Sequence, residues 1–289
     1  MMRSRATATP GSGHVAISQR LDTGIREPMT ETDATDDAPR SSPALWVGFV
    51  DDFPDDLRAW AYRHVLNDDE RIRNDRYRHQ RDRLLHLTAR LMTRTVLSRS
   101  EPGVAPQQWR FRPGPHGKPE IVWPEGYAGR LHFNVSHTEG VVVLALAEGS
   151  PVGVDVERID RPSDFEGLAR RFFAPEEAEA VAACADEHER AALFYRIWTL
   201  KEAYVKAIGK GLAHPLDAFW FSPLDLTEPR PQLYLRTEMG DPVHEPAWQA
   251  RVGHLGPESR WIVSAVASEA APTDEWATFT YRFETGDSK

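Results

Sequence analysis

The sequence predicts an α+β chain made of two related halves, and three observations lead there. Strand-like apolar runs and long helical stretches are interspersed rather than segregated into all-helical or all-strand blocks. Two hydrophobic runs roughly 120 residues apart, GVVVLALAEG at 140–149 and RWIVSAVASE at 260–269, resemble each other, as a duplication would leave them. Each would close a half in which helices pack on strands. The strand-like PVGVDVERID at 151–160 lies between them and puts the junction near Gly149–Val154.

Residues 1–43 are rich in Ser, Thr, Gly, Pro and Asp, with little apolar periodicity, and read as a disordered N-terminal extension. Order is expected from Ala44, with LWVGFV as a first strand. A helical stretch follows from about Pro54 to Arg99, broken near Asn67 and Asp68. Short strands with Gly/Pro punctuation come next, in QWRFRP, GPHGKPEIVW, LHFNVSHTEG and VVVLALAEG. These complete an N-terminal half over 44–150. The second half, 151–289, opens on PVGVDVERI and turns helical from about Pro162, with a helix start at Pro175–Glu176–Glu177. A long helix from about Asp186 to Ile208 is ended by Gly209 and Gly211. From Phe219 to Phe283 the texture is strands with proline-rich connections, including QLYLRTE, RWIVSAVAS and WATFTYRFE.

Composition excludes several classes. Apolar content of 40% and charged content of 27% over 289 residues are those of a globular protein. No run approaches the length of a membrane span, and the start shows no apolar core of a secretory signal. A net charge of −9 disfavours general nucleic-acid binding. The one cysteine, Cys184, reads as a small buried helix residue. It cannot form an internal disulfide, which fits a cytoplasmic location. Of 35 basic residues only five are lysine, and three of these, Lys201, Lys206 and Lys210, fall within ten residues. Between Arg58 and Arg99 the chain carries eleven arginines and no lysine. Most of these suit solvated helix faces, while some could grip an anion.

Four short stretches carry candidate chemistry. In VGVDVE the strand alternation puts Val152, Val154 and Val156 on one face and Gly153, Asp155 and Glu157 on the other. Two carboxylates on one face, roughly 7 Å apart along the strand, are either a solvated edge or half of a divalent-metal site. In FYRIWTLKEAYVKAIGKGL, Trp198, Glu202 and Lys206 recur at four-residue spacing on one helix face, with Lys201 beside Glu202. A Glu–Lys pair on a wet surface would look the same, although a tryptophan on that face would be wasteful. In FNVSHTEG, Ser136 and His137 close a strand where a hydroxyl and an imidazole can reach a ligand. Sequence neighbours alone do not make a nucleophilic triad, so a phosphate contact is the better reading. HGKP at 116–119 is a turn carrying Lys118.

Taken in order, GKP, FNVSH, VGVDVE and WTLKEAYVK resemble the 4′-phosphopantetheinyl transferases, in the long single-chain type of the surfactin-synthetase activating enzyme. FF-x-x-E (Phe172, Phe173, Glu176) falls between the last two, and the resemblance covers roughly residues 44–267. It implies two pseudo-symmetric α+β halves with the active site between them. It also implies Mg²⁺-dependent transfer of the 4′-phosphopantetheine arm of coenzyme A to a serine of an apo acyl or peptidyl carrier protein, releasing 3′,5′-ADP. The carrier would serve a fatty acid, polyketide or nonribosomal peptide synthase, and the enzyme would act as a monomer, with no nucleic-acid or membrane partner.

Carried over residue by residue, the resemblance makes Asp155, Glu157 and Glu202 metal ligands. Lys206 stands near the pyrophosphate, Ser136 and His137 at the 3′-phosphate, and Arg73 and Lys118 near the nucleotide. Glu202, directly or through a metal-bound water, is the candidate base, and Lys206 would support the developing negative charge. Where some relatives carry a basic residue after the RDR segment this chain has Leu84 and Leu85, so either Arg81, Arg83 or Arg90 substitutes or the grip on the 3′-phosphate is weaker. Carrier proteins are usually acidic, as is this chain, so docking calls for a local basic or apolar patch on the arginine-rich helices or the Lys201–Lys210 end. A phosphohydrolase using the same carboxylates, or a non-catalytic carrier-binding scaffold, are the competing readings.

Overall fold

The computed structural model describes residues 43–283 apart from 128, 212–213, 238–239 and 269–275. Apart from Pro43, the expected disordered extension over 1–43 lies outside the described residues. The first half runs β1 (Ala44–Phe49), α1 (Asp55–His64), α2 (Asp68–Arg76), α3 (Gln80–Ser100), β2 (Arg110–Pro113), β3 (Pro119–Val122), β4 (Leu131–Thr138) and β5 (Val141–Glu148). The second runs β6 (Val152–Arg158), α4 (Phe165–Phe172), α5 (Pro175–Ala183), α6 (Glu187–Ile208), β7 (Phe219–Ser222), β8 (Gln232–Arg236), β9 (Pro242–Leu255) and β10 (Trp261–Ser268), and β11 (Ala277–Thr280) comes last.

The expected α+β duplication is visible in this order. Each half is a strand, three helices, then a run of strands, and in each the first strand pairs antiparallel with the last long one, β1 with β5 and β6 with β10. The two runs that look alike in sequence, 140–149 and 260–269, therefore hold equivalent places. β4 flanks β5 and β9 flanks β10 in the same way. One sheet has the order β11-β1-β5-β4, the other β6-β10-β9-β8-β7, and β2-β3 is a separate hairpin. Although β11 follows the second half in sequence, it joins the first sheet, parallel to β1.

Burial explains the layering. β5 is apolar at nearly every position because both its faces are covered. Val142, Leu144 and Leu146 meet α1 and α3, while Val141, Val143 and Ala145 meet the other sheet. Val152, Val154 and Val156 of β6 join that inter-sheet layer, as their alternation requires, and α6 packs on the opposite face of the second sheet with Ile197, Leu200 and Ala203. Each such valine or leucine, fully buried, contributes about 1.5–3 kcal/mol.

Helix ends follow local chemistry. Asn67 and Glu70 form a reciprocal capping box that starts α2 at the expected break. A second break at Tyr77–His79, absent from the sequence reading, separates α2 from α3. There Tyr77 turns extended, and the Arg83 guanidinium ties down the Tyr77 carbonyl at 2.8 Å. Asp186 caps α6 through the amides of His188 and Glu189, and Gly209, at φ +70°, ends it. Cys184 is not inside a helix as expected. It is the half-buried residue that ends α5, and burial raises its thiol pKa.

Candidate functional site

β6 and β4 are the edge strands of the two sheets, and they meet at a seam. Asn134 Oδ1 accepts the Val154 amide at 2.9 Å, and two residues along β4 the Ser136 hydroxyl donates to Asp155 Oδ1 at 2.8 Å. Above the seam lies α6. It comes down close to β6 because residue 153 is glycine. A Cβ there would stand 2.0 Å from the Ala203 carbonyl oxygen and 2.5 Å from the Ala207 amide. This approach brings Lys206 onto Asp155, with Nζ 2.6 Å from Oδ1, 3.1 Å from Ser136 Oγ and 3.3 Å from the Val154 carbonyl.

Asp155 is buried, at 4% exposure, and its second oxygen, Oδ2, has no hydrogen-bond partner. Burying a carboxylate oxygen unpaired is costly unless something positive meets it. Glu157 and Glu202 lie close enough for like charge to act among all three acids. Burial first, then the charge of Asp155, lifts Glu157 to about 7 and raises Glu202. Among the described residues no three acidic, histidine or cysteine side chains form a ready-made metal cage. Mg²⁺ does not need one, since it is commonly held by one or two carboxylates, waters and substrate phosphates. The orphaned Oδ2, in a group of mutually repelling carboxylates, fits such an ion, which Asp155 would hold with Glu157 and Glu202 within electrostatic reach.

The Ser136–His137 pair is split by strand alternation. Ser136 turns into the Asp155–Lys206 network, whereas His137 lies on the face toward α3. There burial and Lys206 lower its pKa, opposed by Asp82 and Asp155. Next to it on α3 is His86, driven to about 4 by burial and then by Arg90, Arg73 and His137. His86 is held by Asn74, whose Nδ2 lies 3.1 Å from Nδ1, while Nε2 is buried without a partner. Arg73 is exposed on α2 and adds its charge to the same group. The result is a cluster of cationic and imidazole side chains (Arg73, Arg90, His86, His137) beside the carboxylate site. His86 joins a site in which sequence reading placed Arg73, Ser136 and His137 and weighed Arg90. His86 carries no sequence signal beyond its place in the α3 pattern. Of the arginines weighed as substitutes, Arg90 joins this cluster, Arg83 is spent on the Tyr77 and Asp75 carbonyls, and Arg81 sits 3.6 Å from Asp82.

Two lysines differ from expectation. Lys118 donates to the carbonyls of Val152 at 3.0 Å and Ala207 at 3.2 Å, tying the β2–β3 hairpin to β6 and α6, and burial lowers it to about 8. It also lines a cleft of about 490 Å³ with His116, Trp123, Arg130 and His132. Lys201 is not part of a basic docking patch. It is fully buried, 2.7 Å from the equally buried Glu177, on the side of α6 away from solvent. Trp198 is partly buried in an aromatic group with Phe172, Phe173 and Phe194, which accounts for a tryptophan on that face.

Comparison with known proteins agrees with this geometry. Residues 151–277 match the family described as the 4′-phosphopantetheinyl transferase superfamily, and residues 54–149 match the one described as 4′-phosphopantetheinyl transferase, N-terminal. The chain belongs to the 4′-phosphopantetheinyl transferase superfamily. Among curated relatives, a Synechocystis protein provisionally named a 4′-phosphopantetheinyl transferase is 37% identical over 54% of this chain and 62% of its own length. The 4′-phosphopantetheinyl transferase HetI of Nostoc is 36% identical over 52% of this chain and 62% of its own. The 4′-phosphopantetheinyl transferase Sfp of Bacillus subtilis is 31% identical over 55% and 66%. In each case the chain spans less than two thirds of the relative's length.

Proposed function

We propose that the protein transfers the 4′-phosphopantetheine group of coenzyme A to a serine of an apo acyl or peptidyl carrier protein, with Mg²⁺, releasing 3′,5′-ADP. The observation that carries this reading is the Asp155–Lys206–Ser136 network at the seam, with Asp155 Oδ2 buried and unpaired in reach of the charge of two further carboxylates. In the reaction the carrier serine oxygen attacks the phosphorus bearing the pantetheine arm. The bond from that phosphorus to the bridging oxygen breaks, and the nucleotide leaves as 3′,5′-ADP.

Mg²⁺, held by Asp155 with Glu157 and Glu202 near it, would supply neutralising charge on the pyrophosphate. Glu202 takes the proton of the attacking serine. Burial and the charge of Asp155 raise its pKa, whereas a bound Mg²⁺ would lower it, so its place on the α6 face beside Lys206, rather than its basicity, assigns it this role. Lys206 already gives hydrogen bonds to three protein oxygens. It therefore acts chiefly through its fixed positive charge, which favours the more negative transition state. The cluster of Arg73, Arg90, His86 and His137 would receive the 3′-phosphate, with the unpartnered His86 Nε2 as one of its hydrogen-bond donors. Lys118 contributes by anchoring the hairpin and lining the cleft beside α6, so its part in nucleotide binding is through the shape of that wall. We place the enzyme in the cytoplasm and expect it to act as a monomer.

The test is mass spectrometry on a panel of apo carriers with coenzyme A and Mg²⁺. The transferred arm should appear as a mass gain on one or more carriers and disappear with a chelator. It should also fall at least a hundredfold in Asp155→Ala or Glu202→Ala, with the fold retained by circular dichroism. No gain on any fatty-acid, polyketide or peptide carrier would refute the reading.

A further inference from the structure

The buried Glu177–Lys201 pair has a counterpart in the first half, and the two agree atom by atom. Glu177 and Glu70 each occupy the third position of the second helix of their half. Each uses Oε2 to accept the capping amide, from Ala174 and from Asn67, at 3.1 Å in both. The same Oε2 meets a fully buried cation on the third helix, Lys201 Nζ at 2.7 Å and Arg94 Nη2 at 2.8 Å. The partners are 24 residues apart in both halves. Each cation then donates to two carbonyls of the segment leaving that helix. One belongs to the first residue of a 3₁₀ turn and the other to the residue just after it. These are Leu216 and Phe219, both at 2.6 Å, in the second half, and Pro106 at 2.9 Å and Trp109 at 2.7 Å in the first.

We infer that these pairs are one duplicated clamp, and that Glu177 and Lys201 are positioning residues for the site: they fix the register of α6 so that Glu202 and Lys206 stand over Asp155. Lys201 is the neighbour of Glu202 and lies just over one turn before Lys206. Its three short contacts join α6 to α5, the 3₁₀ turn and β7. Other constraints on α6 include the close approach at Gly153 and the Thr199–Ser264 hydroxyl pair at 2.7 Å on its sheet side, the Lys118 bond to the Ala207 carbonyl, the Arg196 bond to the Glu228 carbonyl and the packing of Trp198 on Phe172 and Phe173. The clamp adds a buried charged anchor to α5, the 3₁₀ turn and β7. Arg94 does the same for α3, which carries His86 and Arg90 instead of the carboxylate. The two copies should therefore control different steps. The inference rests on the proposed transferase reading for its kinetic consequence and on the geometry alone for its mechanical one.

The test compares Glu177→Gln/Lys201→Met with Glu70→Gln/Arg94→Met. Each double change keeps the capping acceptor and removes both charges of the clamp, so neither clamp partner is left alone in the core; in the first half it also takes from Arg90 the Glu70 carboxylate 3.6 Å away, so Arg94→Met alone is measured beside it. Expected for the second-half variant is a kcat at least tenfold down with KM for coenzyme A within twofold. Amide hydrogen exchange over residues 201–206 should be at least fivefold faster. Expected for the first-half variant is the reverse split, KM for coenzyme A at least fivefold up and kcat within threefold. Lys201→Arg, which imports the first half's cation, should restore kcat to within threefold of the original. A merely structural role would lower the folded fraction of both variants and leave kcat per folded molecule unchanged, and that result would overturn the inference. If the double variant does not fold, Lys201→Arg decides on its own: unchanged exchange and kcat support the clamp, and a tenfold loss overturns it. Absence of activity in the unaltered protein would refute the transferase reading, and exchange over 201–206 would still support the clamp if faster and overturn it if unchanged.

Discussion

Gly153→Ala tests the closeness of α6 and β6 on which the site depends. The added carbon would sit 2.0 Å from the Ala203 carbonyl oxygen, 2.5 Å from the Ala207 amide nitrogen and 3.0 Å from Ala207 Cα. All three are backbone atoms, so no side chain can swing away. Non-bonded carbons rest at about 3.5–4.0 Å, so α6 must retreat by roughly 1 Å. Overpacking of this kind costs about 1–3 kcal/mol, and occasionally more. For a protein of this size that is a drop in Tm of roughly 3–10 °C. The catalytic effect should be larger than the stability effect. The Lys206–Asp155 contact is only 2.6 Å, and moving the helix separates those charges and lifts Glu202 away from the seam. A displacement of about 1 Å can cost a hundredfold in rate. Differential scanning fluorimetry gives the first number and arm transfer per folded molecule gives the second. A variant with Tm within 1 °C of the original and rate within threefold, as order-of-magnitude bounds set by these costs, would refute the idea that this contact sets the site.

Two further outcomes follow from titrating groups. His86 has a folded pKa of about 4 against 6.5 when free, so the unfolded chain binds more protons between those values. Its contribution is full above about pH 6.5 and is lost as pH falls toward 4, by up to about 3 kcal/mol. Glu157, lifted to about 7, acts in the opposite sense over the same range, so the loss is read as the difference between urea melts of the unaltered protein and His86→Gln from pH 7 to 4. Lys118 is lowered to about 8, so the burial penalty on its ammonium is lifted as pH rises from 8 toward 10.5. The unaltered protein should gain stability over Lys118→Met in that window. At pH 7 the variant should lose about 1–3 kcal/mol through the two carbonyls it leaves unbonded.

Much of the site was legible because its residues are close in sequence or share one periodicity. The alternation of VGVDVE assigned the valines to the core and the acids to the opposite face, and four-residue spacing set Glu202 and Lys206 on one side of α6. What failed was anything set by a partner far along the chain. Lys201 is one residue from Glu202, a rotation of about 100°, and only the position of Glu177 and the turn at Leu216 shows that this rotation leads into the core. Ser136 and His137 look like a pair, yet β6 claims one and α3 the other. The break at Tyr77 is polar on both sides and carries neither Gly nor Pro, so nothing local announces it.

The matched clamps also explain why a duplicated fold holds a single carboxylate site. Trp46 pairs with Leu144 as Asp155 pairs with the equivalent Ser264, so β1 has tryptophan where β6 has its buried acid. By the same register Gly48 stands in the place of Glu157. On α3, Thr95 follows Arg94 as Glu202 follows Lys201. That corner is filled from the segment after β11: Tyr281 meets Thr95 at 2.9 Å and is almost wholly buried, and Phe283 stacks on Phe53. In the reverse direction, His86 and Arg90 correspond to Leu193 and Ile197, which lie in the core of the second half. Each half thus has apolar or neutral residues where the other has charge. Under the proposed reading the first half keeps the grip on the anion and the second keeps the acids that act on the pyrophosphate. The seam between β4 and β6 is where the two can reach one substrate. A symmetric pair of sites would need β1 to have a free edge for β9 to approach, and β11 takes that edge.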